Sequence, residues 1–357
     1  MAGDVQKSVI SAPSQLGETE IARWKEMQQS SPRLHRAFFS PAFSLACEVG
    51  GFDTRVALIR RGDLIEALYP FQYHNRLHKW AGIAEQIGGH LADSTGIIAG
   101  LGWRTSPAEL VRLCGVGAIH VSCLADGQTE FGLDSYQVVP NYIVDLSQGY
   151  ERYFEDLRSR NPDFVRDTGR RFRRATRSLG SLTVKHSDTV DAKALDRLVA
   201  QKRAQYKRTN KDGLNDVRTL RVLKYLATQT EESCKVFHTT LEAGGRVIAE
   251  HFGLLYSDVL SYWLPVYDWD FQQYSPGRLM LWELIKEAPQ HGITTIDFGE
   301  GDAQYKRQFS NKSISSYKAY WGAGDIRTGI AKAYQSFYWR TQSLHRAIPT
   351  KPKSLES

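Results

Sequence analysis

The sequence predicts an α+β protein whose second half is a mixed sheet flanked by helices, and three patterns support this. Apolar strand-like runs at 260–266 and 293–298 enclose an amphipathic helix at 279–288, which is typical of a parallel strand pair joined by a crossover helix. Alternating runs at 235–241 and 247–256, separated by a glycine-rich turn, predict antiparallel strands just upstream. A strand at 182–186 with helices at 192–206 and 217–227 precedes them, and a last strand is predicted at 318–321.

The first half is also of α+β character. A helix at 19–29, a hairpin with strands at 55–59 and 64–71, a helix at 107–114 and strands at 118–124 and 136–146 are predicted there. The polar residues Asp145 and Ser147 mark a boundary, and helices follow it at 150–159 and 162–179. We therefore predict domains at 1–148 and 149–330, followed at 331–357 by a closing helix, to about residue 345, and a disordered tail.

Composition describes a globular protein with an ample core, since 41% of the 357 residues are hydrophobic and 24% are charged. The sequence has no run of 18 apolar residues, and residues 1–20 lack the apolar stretch of a secretory signal, so a cytoplasmic location is expected. The four cysteines are far apart, so no disulfide framework is expected. No metal site is expected either, because the histidines of the first half are scattered along the chain: His35, His74, His78, His90 and His120.

The net charge of +7 is concentrated in one segment, most of which lies in the helix predicted at 162–179. Residues 158–177 contain eight arginines and two aspartates, which gives this segment a net charge of +6. Arginine forks match phosphate geometry, so a cradle for an acidic substrate and an ordinary solvated face are both open interpretations. A nucleic-acid footprint is a third interpretation, but no DNA-binding motif accompanies it. The candidate substrate-binding residues in this helix are Arg170, Arg173, Arg174 and Arg177.

Residues 274–279 form the corner between the strand at 260–266 and the crossover helix. Ser275 is a favourable N-cap, Pro276 suits the first helical position, and Gly277 removes the side chain that would keep a ligand off the backbone. Free amides at a helix N-terminus attract phosphate, and a bound anion would offset the unfavourable position of Arg278 against the helix dipole. The alternative is an ordinary capped helix with Arg278 turned to solvent.

The order of the elements and the residues around this corner resemble a known superfamily. The order of elements is similar to that of GNAT acyltransferases: a strand, two helices, three antiparallel strands, and then a helix, a strand, a helix and a strand. The resemblance covers about residues 150–321, and Pro289 departs from it and is expected to shorten the crossover helix. The closer resemblance is to the CelD-like branch, and it rests on residues 274–279, Asp297-Phe298-Gly299, Gly301-Asp302, Tyr305-Lys306 and Phe309. This branch is associated with bacterial polysaccharide and cellulose biosynthesis and is related to the FemABX peptidoglycan aminoacyltransferases.

This resemblance implies two GNAT-like domains in tandem, the first degenerate and the second carrying an acyl-CoA motif. Acetyl-CoA is the leading donor and no metal is implied. The diphosphate would lie on the amides of residues 275–279, and the pantetheine arm would pair with the strand edge at 260–267. The implied cofactor-binding residues are Leu264, Val266, Ser275, Pro276, Gly277, Arg278 and Leu279.

Catalysis by such a site requires a base, because an amine must lose its proton before it attacks a thioester. His251, Asp258 and Asp268 lie on or beside the central strands and are candidates for this base. Tyr305 and Lys306 follow the second parallel strand and are candidates for stabilising the oxyanion or the leaving thiolate, a role that the resemblance implies for Lys306. Asp302 is a candidate for binding the acceptor, or alternatively for capping the helix that carries Tyr305.

The sequence therefore predicts an N-acyltransferase acting on an amino group of an acidic or nucleotide-linked sugar, or of a related envelope or polysaccharide precursor. Two alternatives stay open. Aminoacyl transfer from a charged tRNA is implied by the FemABX relationship and permitted by the basic helix. A non-catalytic binding module could also retain this fold. No DNA partner is expected, and peripheral contact with a membrane stays open.

Overall fold

The computed structural model describes residues 6–329 apart from 101, 210–213 and 326–327. The predicted closing helix and tail beyond residue 329 lie outside the described residues. The described strands are β1 Lys7–Ser11, β2 Asp53–Arg61, β3 Leu64–Tyr73, β4 Ile83–Gln86, β5 Ile98–Ala99, β6 Ala118–Leu124, β7 Gln137–Asp145, β8 Leu182–Ser187, β9 Lys235–Ala243, β10 Arg246–Tyr256, β11 Val259–Tyr267, β12 Thr295–Glu300 and β13 Lys312–Gly322. The described α-helices are α1 Glu18–Gln29, α2 Pro41–Gly50, α3 Arg76–Trp80, α4 Pro107–Leu113, α5 Gly149–Arg160, α6 Pro162–Leu179, α7 Ala192–Arg208, α8 Val217–Ala227, α9 Pro276–Glu287 and α10 Gln304–Phe309.

The described strands form one mixed sheet in the order β1-β2-β3-β4-β6-β13-β7-β12-β11-β10-β9-β8, with β5 paired to β3. The two halves of the chain exchange strands at its centre. β7, from the first half, pairs antiparallel with β12, and β13, from the second half, lies between β6 and β7. The predicted class, a mixed sheet flanked by helices, is confirmed. The predicted domain boundary at residue 148 lies just after the end of β7. The sheet itself continues from the strands of the first half to those of the second.

Helices cover both faces of the sheet in the second half. α7 and α8 pack with α2 on one face, where Leu198, Val222 and Phe252 share a core. α5, α6 and α9 pack on the opposite face, around a second core that includes Phe164 and Leu284. Because both faces are covered, β10 and β11 are almost continuously buried rather than alternately buried and exposed.

Local signals set the ends of the helices around the corner. α6 begins after Asn161, whose side-chain oxygen accepts the amide of Phe164 at 3.4 Å, and it ends before Gly180, whose φ is 86°. α9 ends at Glu287, and a 3₁₀ turn that contains Pro289 follows at Ala288–His291. The expected shortening of the crossover helix by this proline is therefore confirmed.

Two further features bear on function. Among the described residues, no helix has the length and apolar composition needed to cross a bilayer. Within the same part of the chain, no group of three or more His, Cys, Asp or Glu residues is placed to hold a metal ion.

The four cysteines are buried and free. Burial raises the pKa of Cys47, Cys114, Cys123 and Cys234, which keeps these thiols protonated at neutral pH.

Candidate active site

The two parallel strands β11 and β12 separate after a short paired segment. They pair only from Val259 with Thr295 to Ser261 with Asp297, so the rest of β11 has no partner on this side within the described sheet. Pro265 lies in this open part, where its missing N–H costs the ladder nothing. The carbonyl of Pro265 accepts a hydrogen bond from Lys202 Nζ of α7 at 3.0 Å. The separation leaves an open strand edge, as the sequence predicted.

A cavity of about 220 Å³, called below the cavity between β11 and β12, lies beside the open part of β11 and is lined by α10, which follows β12, but by no residue of β12 itself. Four elements contribute to it, namely β11, the start of α9, α10 and α7. Its lining is apolar and aromatic, with few polar groups, which is typical of a small-ligand site. The lining residues are Gln205, Tyr262, Pro265, Val266, Tyr267, Gly277, Arg278, Leu281, Tyr305 and Phe309.

The start of α9 differs from the predicted arrangement. Ser275 occupies the N-cap position, as predicted, but its backbone is left-handed, with φ 56° and ψ 54°, and its side chain makes no cap hydrogen bond. The amides of Arg278 and Leu279 both bond to the carbonyl of Ser275, at 3.0 and 3.2 Å. The amide of Ser275 bonds to Gln272, and a proline has no N–H to offer. The predicted set of free amides is therefore reduced to that of Gly277.

Arg278 is not turned to solvent, and both of its terminal nitrogens already have partners. Its guanidinium pairs with Asp167 of α6 at 2.8 Å, donates to the carbonyl of Phe164 at 2.9 Å, and stacks 3.9 Å from the Phe164 ring centroid. Burial lowers the pKa of Arg278, and the pair with Asp167 opposes that shift. Arg171, also on α6, donates to the Ser275 hydroxyl at 2.9 Å. These contacts brace the corner against α6.

We expect Arg278→Ala to lower the free energy of unfolding by about 1–3 kcal/mol, because it removes a half-buried guanidinium that bridges Asp167, the Phe164 carbonyl and the Phe164 ring. Urea denaturation measures this change. Arg173→Ala, on the exposed face of α6, is the matched control and should change stability by less than about 0.5 kcal/mol. Equal effects of the two substitutions would show that Arg278 does not hold α6 against α9.

Asp167 makes this contribution dependent on pH. Hydrogen bonds from Arg171, Arg170 and Arg278 hold the pKa of Asp167 far below its ordinary value. A carboxylate whose pKa is lower in the folded state than in the unfolded state stabilises the fold at pH values above its unfolded pKa of about 3.9. This stabilisation is lost progressively as the pH falls below that value. The difference in stability between wild type and Arg278→Ala should therefore shrink in acid.

Asp93 is a site residue that the sequence analysis missed, since no motif surrounds it. It lies in the connection between β4 and β5 and reaches the end of β12, where a Cβ built on Gly299 would lie 3.0 Å from its carboxyl carbon. Burial raises the pKa of Asp93 to about 7, while Lys306 acts to lower it. A carboxylate with a pKa near 7 is suited to accepting a proton at neutral pH.

Two ammonium groups lie near Asp93 and favour its charged form. One is Lys306, whose Nζ donates to the carbonyls of Gly299 at 3.2 Å and Glu300 at 2.6 Å. The other is Lys202, already bonded to the edge of β11. Burial raises the pKa of Glu300, and its Oε2 has no hydrogen-bond partner among the described residues. The end of β12 therefore combines carboxylates with lysines in a shielded setting.

Tyr305 connects this charged cluster to the cavity. Its ring lines the cavity and packs against Phe298, with centroids 5.7 Å apart. Burial raises the pKa of Tyr305, and the charge of Asp93 adds to this shift. The hydroxyl is therefore protonated at neutral pH and is available as a donor.

The three bases considered from the sequence have other surroundings. His251 is fully buried and stacked 4.1 Å from Tyr262, behind the cavity lining, and burial lowers its pKa far below the ordinary value. Asp268 accepts the amide of Asp270 at 3.1 Å and pairs with Arg246 at 2.6 Å. Asp258 precedes β11, at the end opposite to the separated part. None of the three lies among the residues that line the cavity.

The remaining predicted residues divide between the cavity and the surface. Val266 lines the cavity, whereas Leu264 and Leu279 are buried in the two cores. Asp302 does not cap α10, because the position before that helix is Ala303. It accepts instead from the Tyr142 hydroxyl at 2.8 Å and pairs with Arg307 at 2.8 Å. The predicted capping role is thus wrong, while acceptor binding stays a prediction.

The arginines of α6 keep an exposed basic face. Arg170 pairs with Asp167 at 2.6 Å, so part of the charge is neutralised within the helix. Arg173 and Arg177 are exposed, and no ion pair involves them in the described part of the chain. Arg174 lies 5.6 Å from the ring centroid of Tyr274, beside the corner that leads into α9. Of the four predicted substrate-binding arginines, it is the one that contacts the residue before Ser275.

Comparison with known families agrees with this geometry. Residues 164–307 match the family model described as an acetyltransferase (GNAT) domain. The match spans α6, the corner, both separated strands and α10 up to Arg307. No curated protein sequence matches the chain significantly.

Several solved structures are similar in fold. FemX aligns with a TM-score of 0.57 at 11% identity, over 87% of this chain and 97% of its own. The C-terminal domain (DUF2156) of a protein titled a lysylphosphatidylglycerol synthetase from Agrobacterium fabrum aligns with a TM-score of 0.55 at 12% identity, over 89% and 95%. A conserved protein of unknown function from Bacteroides thetaiotaomicron aligns with a TM-score of 0.53 at 12% identity, over 84% and 97%. At these identities the likeness concerns the fold alone.

Proposed function

We propose that this protein, in which residues 164–307 match the acetyltransferase (GNAT) domain family, is an acyl-CoA-dependent N-acyltransferase. The proposed donor is acetyl-CoA. The proposed acceptor is an amino group of an acidic or nucleotide-linked sugar, or of a related cell-envelope or polysaccharide precursor. The CelD-like relationship is part of the same proposal.

The cavity between β11 and β12 is the observation that carries the proposal. Its volume of about 220 Å³ is below the roughly 300–1,000 Å³ of pockets that enclose a whole drug-sized ligand, so it suits a pantetheine arm or an acyl group. Gly277 leaves the cavity open beside the start of α9, because it has no side chain and a Cβ at this position would contact only the Tyr267 ring, at 3.6 Å. The Gly277 amide and the guanidinium of Arg174 are the groups that would hold a diphosphate at the rim.

The charged cluster supplies the proposed chemistry. The acceptor's ammonium gives a proton to the Asp93 carboxylate, and the free amine forms a bond to the acyl carbon as the carbon–sulfur bond breaks. Tyr305 is the proposed proton donor to the departing sulfur, and the second proton that the attacking nitrogen loses returns to the Tyr305 oxygen, so the products are the amide, the free thiol and a protonated Asp93. Lys306, held by two backbone carbonyls, keeps a positive charge beside Asp93 and the reacting atoms.

Release of free thiol tests the proposal. With acetyl-CoA as donor, we expect thiol release to increase when an amino sugar, free or nucleotide-linked, is added. The matched control is the N-acetylated form of the same sugar, which has no free amine and should not increase the rate. No thiol release from any acyl-CoA with any amine would contradict the proposal.

A second candidate is favoured by the start of α9. With most amides there already bonded, the corner offers fewer phosphate ligands than the sequence predicted, and the exposed arginines of α6 would suit a larger anionic donor. Aminoacyl transfer from a charged tRNA, the function implied by the sequence resemblance to FemABX enzymes, fits those features. Binding of a hydrolysis-resistant aminoacyl-tRNA that weakens steeply with salt would favour this candidate. Salt-independent binding, or none, would exclude it.

A further inference from the structure

The first half of the chain contains a second cavity, of about 260 Å³, that shares no lining residue with the cavity between β11 and β12. It lies where the strands β3, β4 and β6 meet the start of α8. Three of the five histidines that are scattered in the first half of the sequence line it. We call it the histidine pocket, and the lining residues that matter to its chemistry are His74, Glu85, His90, His120, Asp216 and Arg218.

The charges of the histidine pocket are paired with one another. Arg218 pairs with Asp216 through Nε and Nη2, at 2.9 and 2.7 Å, and stacks 4.5 Å from the ring centroid of Phe52. Glu85 faces His74 Nδ1 at 3.6 Å, and this contact raises the pKa of His74. Its one arginine already has a carboxylate partner, so the pocket lacks the free positive charge that a phosphate ligand requires. The absence of a metal-binding group among the described residues also argues against a metal ligand.

Two imidazoles in the pocket keep unused hydrogen-bonding capacity. His90 and His120 make no side-chain hydrogen bond within the described residues. Burial lowers the pKa of both, so each is neutral at pH 7 and offers one N–H donor and one nitrogen acceptor. A pair of groups that each donate and accept matches hydroxyls, and the Phe52 ring adds an apolar wall. This combination suits a neutral ligand with several hydroxyl groups.

The pocket is linked to the charged cluster by a short piece of chain. His90 and Asp93 are three residues apart in the connection between β4 and β5. Three residues span at most about 10 Å, so a ligand that contacts His90 is held within reach of the base. A 3₁₀ turn at Gly89–Leu91 and the hydrogen bond from Gln86 Nε2 to the Gly89 carbonyl, at 2.7 Å, fix this connection.

We infer that the histidine pocket binds a glycosyl unit through the hydroxyl groups of the sugar. That this sugar belongs to the acceptor rests on the proposed function, whereas the binding itself does not. The first half of the chain would then recognise the sugar, and the second half would hold the acyl donor.

Saturation-transfer NMR tests this inference with four probes at millimolar concentration: glucose, galactose, glucosamine and N-acetylglucosamine. We expect at least one to receive saturation from the wild-type protein and to lose it at least about fivefold with His90→Ala and with His120→Phe, which fills the pocket. His291→Ala, an exposed histidine in the turn after α9, is the matched control and should leave the signal unchanged. Inorganic phosphate should not compete.

Several results would overturn the inference: no saturation of any probe, equal signals from wild type and both pocket variants, or displacement of the sugar by phosphate. Because His90 is partly exposed to solvent, the His90→Ala variant stays interpretable if His120→Phe fails to fold. Sugar binding without thiol release from any acyl-CoA would contradict the proposed function and leave this inference standing. Thiol release from an acyl-CoA without binding of any sugar probe would contradict this inference and leave the proposed function standing.

Discussion

Replacing Asp93 by asparagine is expected to lower kcat by about 10²–10⁴-fold, because the variant keeps the shape of the side chain and loses the proton acceptor. The steady-state rate of thiol release measures this loss. In the wild type the base must be ionised, and burial raises the pKa of Asp93 to about 7. The wild-type kcat/KM should therefore rise with pH and level off above about 7, and this limb should be absent from the variant.

Asp93→Asn, which lowers activity, should raise the stability of the fold at high pH. The folded-state pKa of Asp93 is raised above its unfolded value, so the wild type loses stability as the pH rises from about 4 through 7. Asp93→Asn removes this cost and should be more stable than the wild type at pH 8 and similar to it at pH 4. Thermal unfolding at the two pH values checks this. An inactive variant that is also less stable at pH 8 would indicate a structural role for Asp93 instead.

Placing a carboxylate in the cavity by Gly277→Glu is expected to lower kcat/KM for acetyl-CoA by at least about 100-fold, a loss of roughly 2.7 kcal/mol of transition-state stabilisation. The new side chain would fill the open space above Tyr267 and repel a diphosphate at the rim. The backbone at Gly277 has no positive φ, so the substitution itself is not strained. Thiol release at varied acetyl-CoA concentration measures the effect.

Gln290→Glu is the matched control for Gly277→Glu. Residue 290 is exposed, lies in the turn after α9, and receives the same change in charge at the opposite end of the helix. Its kinetics should stay within about twofold of the wild type. If both variants lost activity equally, the effect would come from net charge or folding and not from the cavity.

The elements around the site were predictable from local patterns. The predicted helices at 162–179 and 217–227 have the observed bounds, and the strand and helix at 260–266 and 279–288 are observed at Val259–Tyr267 and Pro276–Glu287. Capping residues, prolines and apolar periodicity are encoded within a few residues of each element. The same kind of signal exists for α2, where Ser40 caps the helix and Pro41 is its first residue, although the sequence analysis did not predict it.

The parts that were missed depend on contacts between distant residues. Asp93 meets Gly299, and β7 pairs with β12, only because the two halves exchange strands, and no local pattern carries that pairing. His74, His90 and His120 likewise come together in one pocket through contacts between residues that are distant in sequence. The missing cap hydrogen bond at Ser275 has a different origin: serine is favourable as an N-cap, but Arg171 occupies its hydroxyl and the backbone there is left-handed. Tertiary contacts outweighed a local preference of about 1 kcal/mol.

Calorimetric titration of acetyl-CoA into the wild-type protein and the Gly277→Glu variant tests most directly whether the cavity between β11 and β12 holds an acyl-CoA. Desulfo-CoA and adenosine 3′,5′-bisphosphate serve as companion ligands that separate the pantetheine arm from the phosphates. The account predicts saturable binding of acetyl-CoA and desulfo-CoA to the wild type, weaker binding of the bisphosphate, and loss of all three in the variant. Binding to the variant as tight as to the wild type, or no binding to either protein, would contradict it.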